Sequence, residues 1–328
     1  MIAISGANGL LGSFIVRKLI DEQKSFVALK RNDSDISLLA DIADKIKWRD
    51  ADVLNPVALG EALEGCTHFI HAAAIVSYNP QHADRIMEVN TMGTRNVVNA
   101  CLQQNIRKLV HISSVSALGR QKDQTLILED NRWIDNPGNS VYAKSKYRAE
   151  LEVFRGQEEG LNTVILNPSV ILAPADWDRS SAKLFKYVWK KRPFYIDGQL
   201  NYVDVRDVAS IACHFVEAEH QAQRFIINAG NISFKSFFEK IARNFKVKPP
   251  HLLLSKKMLM LAAKAERVRS WLAGSEPFVT HETAQIAETQ FLYDNKKIKK
   301  ILNFEFQSID NTLEWCCSYY NTRFNPKK

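Results

Sequence analysis

Short apolar runs alternate with longer amphipathic stretches through the first two-thirds of this chain. The run IAIS at 2–5 predicts a strand, and apolar residues at Leu11, Phe14, Ile15 and Leu19 recur at helical spacing, predicting a helix from about Leu10 to Asp21. FVAL at 26–29, THFIHAA at 67–73 and KLVHISS at 108–114 read as further strands, followed by NTVILNPSVI at 162–171 and FIINAG at 225–230. Strands that alternate with helical segments argue for βαβ units. The expected fold class is therefore α/β, a doubly wound parallel sheet of the Rossmann kind, with a smaller and mainly C-terminal substrate domain.

Between 168 and 202 the composition shifts toward aromatics and Lys, punctuated by Pro168, Pro174 and Pro193. That shift sets the expected boundaries. Residues 1–167 form a dinucleotide-binding domain to which 203–228 return, while 168–202 and 229–328 form the substrate domain. The segment 252–272 has apolar residues at helical spacing with Lys and Arg between them, and reads as a helix covering the substrate domain with its basic face in water.

The net charge of +8 invites a nucleic-acid or membrane reading. Residues 235–300 hold 14 Lys and Arg against 6 Asp and Glu, so the whole excess lies in one segment. It carries no nucleic-acid motif, which favours a solvated helical surface; neither nucleic acid nor membrane is expected as a partner. No apolar run reaches the length of a membrane span, and Met1 leads straight into IAISGANG where a signal peptide would need a basic start. A cytoplasmic location is expected. The five cysteines show no metal-ligand spacing, so they read as reduced, mostly buried thiols and no metal site is expected.

The candidate chemistry begins at GANGLLG. Gly6 would permit a tight turn, Gly9 would let the backbone approach a pyrophosphate, and Gly12 would allow the helix to pack closely on the strand. After the second strand the chain reads FVALKRNDSD, with Lys30 and Arg31 where an NAD-specific site would carry an acid. Arg31, helped by Lys30 or Ser34, would pair with a 2′-phosphate, so NADP(H) is the favoured cofactor and NAD(H) the alternative. Asp52 is a candidate partner for the adenine amino group. Tyr142 and Lys146, in YAKSK, lie one helical turn apart, and Ser114 ends the KLVHISS strand. An adjacent ammonium lowers the pKa of a Tyr hydroxyl, which otherwise titrates too high to exchange protons at neutral pH.

With SGANGLLG at 5–12, HAAA at 71–74, VNTMGTRNVVNA at 89–100, HISSVSALG at 111–119, YAKSK at 142–146, NPSVILAP at 167–174 and NYVDVRDVA at 201–209, nearly the whole chain resembles the extended short-chain dehydrogenase/reductases, the NAD-dependent epimerase/dehydratase family. The resemblance implies a catalytic triad of Ser114, Tyr142 and Lys146, with Asn90 as a fourth member of the proton relay and Ser113 and Ser116 as alternatives for the Ser. It implies that Asn8, Leu10, Val53, Ala72, Ala73 and Ala74 line the cofactor, and that the backbone from Pro168 to Val170 meets the nicotinamide carboxamide. The pattern is closest to reductases similar to dihydroflavonol reductase, cinnamoyl-CoA reductase and 3β-hydroxysteroid dehydrogenase. Val115 and Ser116 replace the acidic pair of the sugar-nucleotide dehydratases, and Asn167 and Val170 replace the Arg and Asn of the epimerases.

The leading expectation is an oxidoreductase moving a hydride between nicotinamide and a small carbonyl or alcohol. A nucleotide-sugar epimerase is the alternative, and a cofactor-sensing binding protein the third. Candidate substrate contacts are Val76, Tyr78, Ser116, Trp133, Leu172, Trp177, Tyr187 and Tyr195; for each aromatic, core packing is an equal reading. Family resemblance also points to a homodimer.

Overall fold

The computed structural model describes residues 1–120, 124–136, 138–179, 181–255, 258 and 291–324. The chain divides into two compact units. The first comprises Met1–Gly119, Val141–Pro168 and Val205–Ile227; the second comprises Arg120–Ser140, Ser169–Asp204 and Asn228–Lys328. The stretch Arg120–Ser140, kept with the first domain in the sequence reading, groups with the second unit, where strand β6 (Leu126–Ile127) pairs with β14 (Leu292–Tyr293).

The first unit is built on β1 (Ile2–Ser5), β2 (Phe26–Lys30), β3 (Trp48–Asp50), β4 (His68–His71), β5 (Lys108–Ile112), β7 (Thr163–Pro168) and β11 (Gln223–Ile227). These form a seven-stranded sheet in the order β11-β7-β5-β4-β1-β2-β3, with every pairing parallel. Sheet order reverses between β1 and β4, the position at which doubly wound folds bind ligands beyond the strand ends. Helix α1 (Leu10–Asp21) packs against α7 (Val205–Glu217), and α4 (Gly93–Gln103) packs between α2 (Pro56–Ala62) and α5 (Val141–Glu158). Ala3, Val27, Leu29, Phe69, Leu109 and Ile165 share one core cluster with Leu59, Val97, Val98 and Val153 from those last three helices. Strands buried on both faces read as continuous apolar runs, which is why β1 and β2 stand out in the sequence.

Two sequence expectations change here. The run 162–171 is not one strand: β7 ends at Pro168, which has no N–H for a further ladder bond, and after Ser169 the chain enters β8 (Val170–Leu172) of a different sheet. The run 225–230 likewise ends its first strand at Ile227 and opens β12 (Gly230–Ser233). Strand β3 was not read from the sequence, because the three residues WRD carry no apolar alternation.

In the second unit β12 pairs antiparallel with β10 (Gln199–Asp204), which pairs parallel with β8. A further pair joins β9 (Phe194–Tyr195) to β13 (Leu252–Leu253). Residues 252 and 253 are thus strand where a helix was expected; apart from 254, 255 and 258, the rest of that expected helix lies outside the described residues. Aromatic packing organises this unit. Tyr320, on the helix Ile309–Phe324, stacks on Trp177 at 4.1 Å and meets Phe185 of α6 (Ala182–Trp189) and Phe245 of α8 (Phe234–Phe245). Thr312 on that same helix donates to the buried Asp204 carboxylate at 2.7 Å.

Two histidines face each other inside the first unit. His71 and His111 are register partners on β4 and β5, each 1% exposed, with ring centroids 5.2 Å apart. His71 is held by Ser5 Oγ at 2.8 Å and Thr94 Oγ1 at 3.1 Å, whereas neither His111 ring nitrogen has a partner among the described residues. Burial pushes His71 down to about 3, and burial followed by the Lys146 charge pushes His111 well down too. The unfolded chain therefore binds more protons below about pH 6.5, so stability falls as pH falls from there. His111→Leu removes one of these groups together with two unpaired nitrogens. Urea unfolding should show equal or greater stability at pH 7 and a shallower loss between pH 6.5 and 4; an unchanged acid slope would refute this.

Candidate active site

The turn after β1 is set by glycine geometry. Gly6 has φ +70°, and a Cβ there would lie 2.6 Å from the Ala73 N and 2.7 Å from the Ala72 carbonyl carbon. The turn therefore closes directly onto the segment that leaves β4, where the N–H groups of Ala72 and Ala73 point to Ser5 O and Oγ at 3.2 and 3.4 Å. A Cβ on Gly12 would sit 1.9 Å from the Gly6 carbonyl oxygen, so only glycine lets α1 start this close to the turn. Gly9 is the N-cap of α1, its N–H bonded to Gly6 O at 2.9 Å, and no side chain caps the helix. The N–H groups of the first turn, beginning at Leu10, are left for an anion, with no Cβ on Gly9 to obstruct its approach. A dinucleotide pyrophosphate fits this cradle. Asn8 braces the turn from outside, its amide donating to Asp35 O at 3.1 Å.

Beyond β2 and β3 the first unit has an open pocket of about 410 Å³ whose lining includes Arg31, Asp33, Asp50, Asp52, Asn55 and Arg85. It brings together Arg31 and Asp52, the two residues singled out for the nucleoside end. Arg31 is exposed and 3.5 Å from Asp33, and its N–H donates to Ser34 Oγ at 3.1 Å. Lys30 instead pairs across the strands with Asp50 at 3.0 Å. Asp52 accepts the Leu54 N–H at 2.9 Å. Val53 is buried, packed toward Gly93, and its carbonyl accepts from Asn96 at 2.9 Å.

Helix α5 and the end of β5 meet through one ammonium. Lys146 is 2% exposed and its Nζ donates to Ile112 O at 2.7 Å, two residues before Ser114. Burial pushes it down to about 8, opposed by the Glu150 charge one helical turn further on. Tyr142, one turn earlier, is 8% exposed, and Tyr78 meets its ring edge-on at 5.9 Å. Ser114 opens a short 3₁₀ turn (Val115–Ala117), where its Oγ accepts the Ser116 N–H at 3.1 Å. Its alternatives differ: Ser113 is buried with an Oγ that has no partner among the described residues, and Ser116 is half-buried. Asn90 lies in a π-helical step (Glu88–Met92); its Oδ1 accepts the Ile75 N–H at 2.8 Å, while Nδ2 donates to Ile75 O and to Ser145 Oγ, both at 2.9 Å. The amide thus ties the segment after β4 to α5. Ala74 lies in that same segment.

The other candidates fall in separate places. Val76 is 59% and Tyr78 41% exposed in the first unit, and Pro168 ends β7 there, whereas Val170 begins β8 in the second. Leu172 is fully buried in the second unit, Trp177 stacks on Tyr320 there, and the Tyr187 hydroxyl donates to Phe194 O at 2.9 Å while its ring stacks on Phe238. Trp133 and Tyr195 are both half-buried in that unit. What sequence reasoning missed is a buried acid: Glu150 is fully buried on α5 and bonds Arg224 and Asn167 at 2.8 and 2.6 Å. Its only sequence signal was the four-residue spacing from Lys146. Among the described residues no cluster of His, Cys, Asp and Glu could hold a metal, and no helix is long and apolar enough to cross a membrane.

Residues 2–230 match the model of the NAD dependent epimerase/dehydratase family. A putative dihydroflavonol 4-reductase of Synechocystis sp. is 26% identical over 94% of this chain and 91% of its own. Cinnamoyl-CoA reductase 1 of Petunia hybrida is 25% identical over 69% of this chain and 72% of its own. The crystal structure of gox2253 superposes with a TM-score of 0.85 at 27% identity, covering 99% of this chain and 98% of that one. With the parallel sheet, the glycine turn and the family match in agreement, the chain belongs to the NAD dependent epimerase/dehydratase family of extended short-chain dehydrogenases/reductases.

Proposed function

We propose that this protein is an NADP(H)-dependent oxidoreductase that interconverts a small carbonyl compound and its alcohol, with Ser114, Tyr142 and Lys146 as the proton-transfer centre. The observation that carries this reading is the buried Lys146, bonded to the end of β5 beside Ser114 and one helical turn from Tyr142. The named reductases among the relatives support the reaction class. The bound nicotinamide dinucleotide supplies or accepts the hydride. In the reducing direction Tyr142 donates its hydroxyl proton to the oxygen of the carbonyl being reduced, and the Ser114 hydroxyl donates a hydrogen bond to that same oxygen. Lys146 holds positive charge beside Tyr142 and so makes its hydroxyl a better acid. Gly6, Gly9 and Gly12 hold the pyrophosphate, Arg31 takes the 2′-phosphate and Asp52 the adenine. Val76 and Tyr78 offer apolar surface to the substrate from the first unit.

Assays with NADPH and a panel of aldehydes, ketones and nucleotide sugars test the reaction. Net loss of the nicotinamide absorbance band is expected with a carbonyl substrate; sugar isomerisation without net oxidation would favour the epimerase reading instead. Tyr142→Phe should lower turnover by about 10²–10⁴-fold while NADPH still binds. A variant that leaves all activity in place would remove Tyr142 from the mechanism. Because burial pushes the Lys146 ammonium down to about 8, turnover should decline as pH rises above that value.

Cofactor choice is tested separately by titrating both dinucleotides. NADPH should bind at least about tenfold tighter than NADH, the effect of one charge-assisted pair, and Arg31→Asp should reverse the order. Tighter NADH binding in the native chain would overturn the assignment of Arg31.

A further inference from the structure

A second buried network runs through the same unit and is not accounted for by proton transfer alone. The Glu150 carboxylate is 0% exposed, and its two oxygens are held from two different strands. Oε2 pairs with Arg224 Nη1 on β11 at 2.8 Å, and Oε1 accepts from Asn167 Nδ2 on β7 at 2.6 Å. That Asn167 nitrogen also donates to the Ser114 carbonyl at 2.9 Å. A continuous chain of polar contacts therefore runs from Arg224 through Glu150 and Asn167 to the backbone of Ser114. Glu150 also lies four residues after Lys146, which places both side chains on one face of α5.

Burying a carboxylate is costly unless it is paired and hydrogen-bonded, and an aliphatic side chain would fill this space more cheaply. The retained charge has a target in Lys146. That ammonium feels the charge of Glu150 from its own helix and lies near His111 of β5 and His71 of β4, with Tyr142 one turn before it on α5. Both histidines are neutral at pH 7, and Ile112 O contributes only a dipole, so Glu150 is the anion in this set.

We propose that Glu150 is a positioning residue for the reaction, holding the Ser114 backbone through Asn167 and supplying the countercharge for the Lys146 ammonium. Arg224 sets the strength of that countercharge by sharing the carboxylate. This rests on the Ser114–Tyr142–Lys146 reading of the site. Each part acts through a different atom. The Asn167 link fixes where Ser114 sits, and the carboxylate charge decides how much of Lys146 is protonated near neutral pH.

The test titrates Lys146 directly in the full chain without cofactor, using protein labelled with ¹³C at the lysine ε-carbon and the signal assigned by its loss in Lys146→Arg. In the native chain the midpoint is expected at about 8. Glu150→Gln keeps the shape and removes the charge, and should move the midpoint down to about 7, the effect of one lost neighbouring charge. Arg224→Gln should move it upward, because Glu150 then acts unshared. Opposite shifts from two changes in one ion pair would not come from loosened packing, and thermal melts establish that each variant is folded. Asn167→Ala should leave the midpoint in place yet lower carbonyl reduction about tenfold or more. If Glu150→Gln leaves the midpoint unmoved, or both variants shift it the same way, the proposal is wrong. Tyr142→Phe separates the two levels. Its retaining full activity would sink the catalytic reading, whereas its inactivity beside an unmoved Glu150→Gln midpoint would sink this proposal alone.

Discussion

An ammonium group with almost no access to water ties the chemistry of this protein to its fold. Lys146 donates to the last carbonyl of β5 and thereby fixes α5 against the end of the parallel sheet. A buried cation is expensive to leave without partners, so the residues around it are constrained: an accepting carbonyl, a carboxylate one turn away, and histidines that stay neutral. Tyr142 and Ser114 take their places from the same contact, one by the pitch of α5 and the other by the two residues that follow Ile112. Asn90 adds a second tie, joining the segment after β4 to Ser145 on α5.

The reversal of sheet order between β1 and β4 provides the other half of the site. Two chain segments leave neighbouring parallel strands there, and they approach so closely at Gly6 and Ala73 that no side chain on Gly6 could be accommodated without moving backbone; the Gly6 carbonyl in turn excludes one on Gly12. The first helix then begins without a side-chain cap. On the proposed reading the seven-stranded unit carries both the anion cradle and the proton-transfer centre on strand ends and helix starts, where packing holds them still.

How much of this was legible in the sequence depended on how local each cause is. The turn from Gly6 to Gly12 and the helix after it follow from neighbouring residues, and the predicted span of that helix coincides with α1. The run 162–171 looked like one strand because local apolarity does not say which sheet a residue joins; only the pairing of Val170 with Tyr202 reveals the change. His71 and His111 were hidden inside apolar runs that read simply as strand, and nothing local to Glu150 marks it out beyond its spacing from Lys146. Its role emerges from contacts with β7 and β11, which lie 17 and 74 residues further along the chain. Trp177 and Tyr187, for which a pocket and core packing read equally from the sequence, are engaged in the packing of the second unit.

The most direct measurement of the central claim follows the hydride itself. NADPH carrying deuterium at the transferable position of the nicotinamide is incubated with the native chain and a carbonyl substrate from the panel, and the product is examined by mass spectrometry. One deuterium on the carbinol carbon and one equivalent of oxidised cofactor per alcohol formed are expected. Product formed without label and without cofactor consumption would contradict that claim.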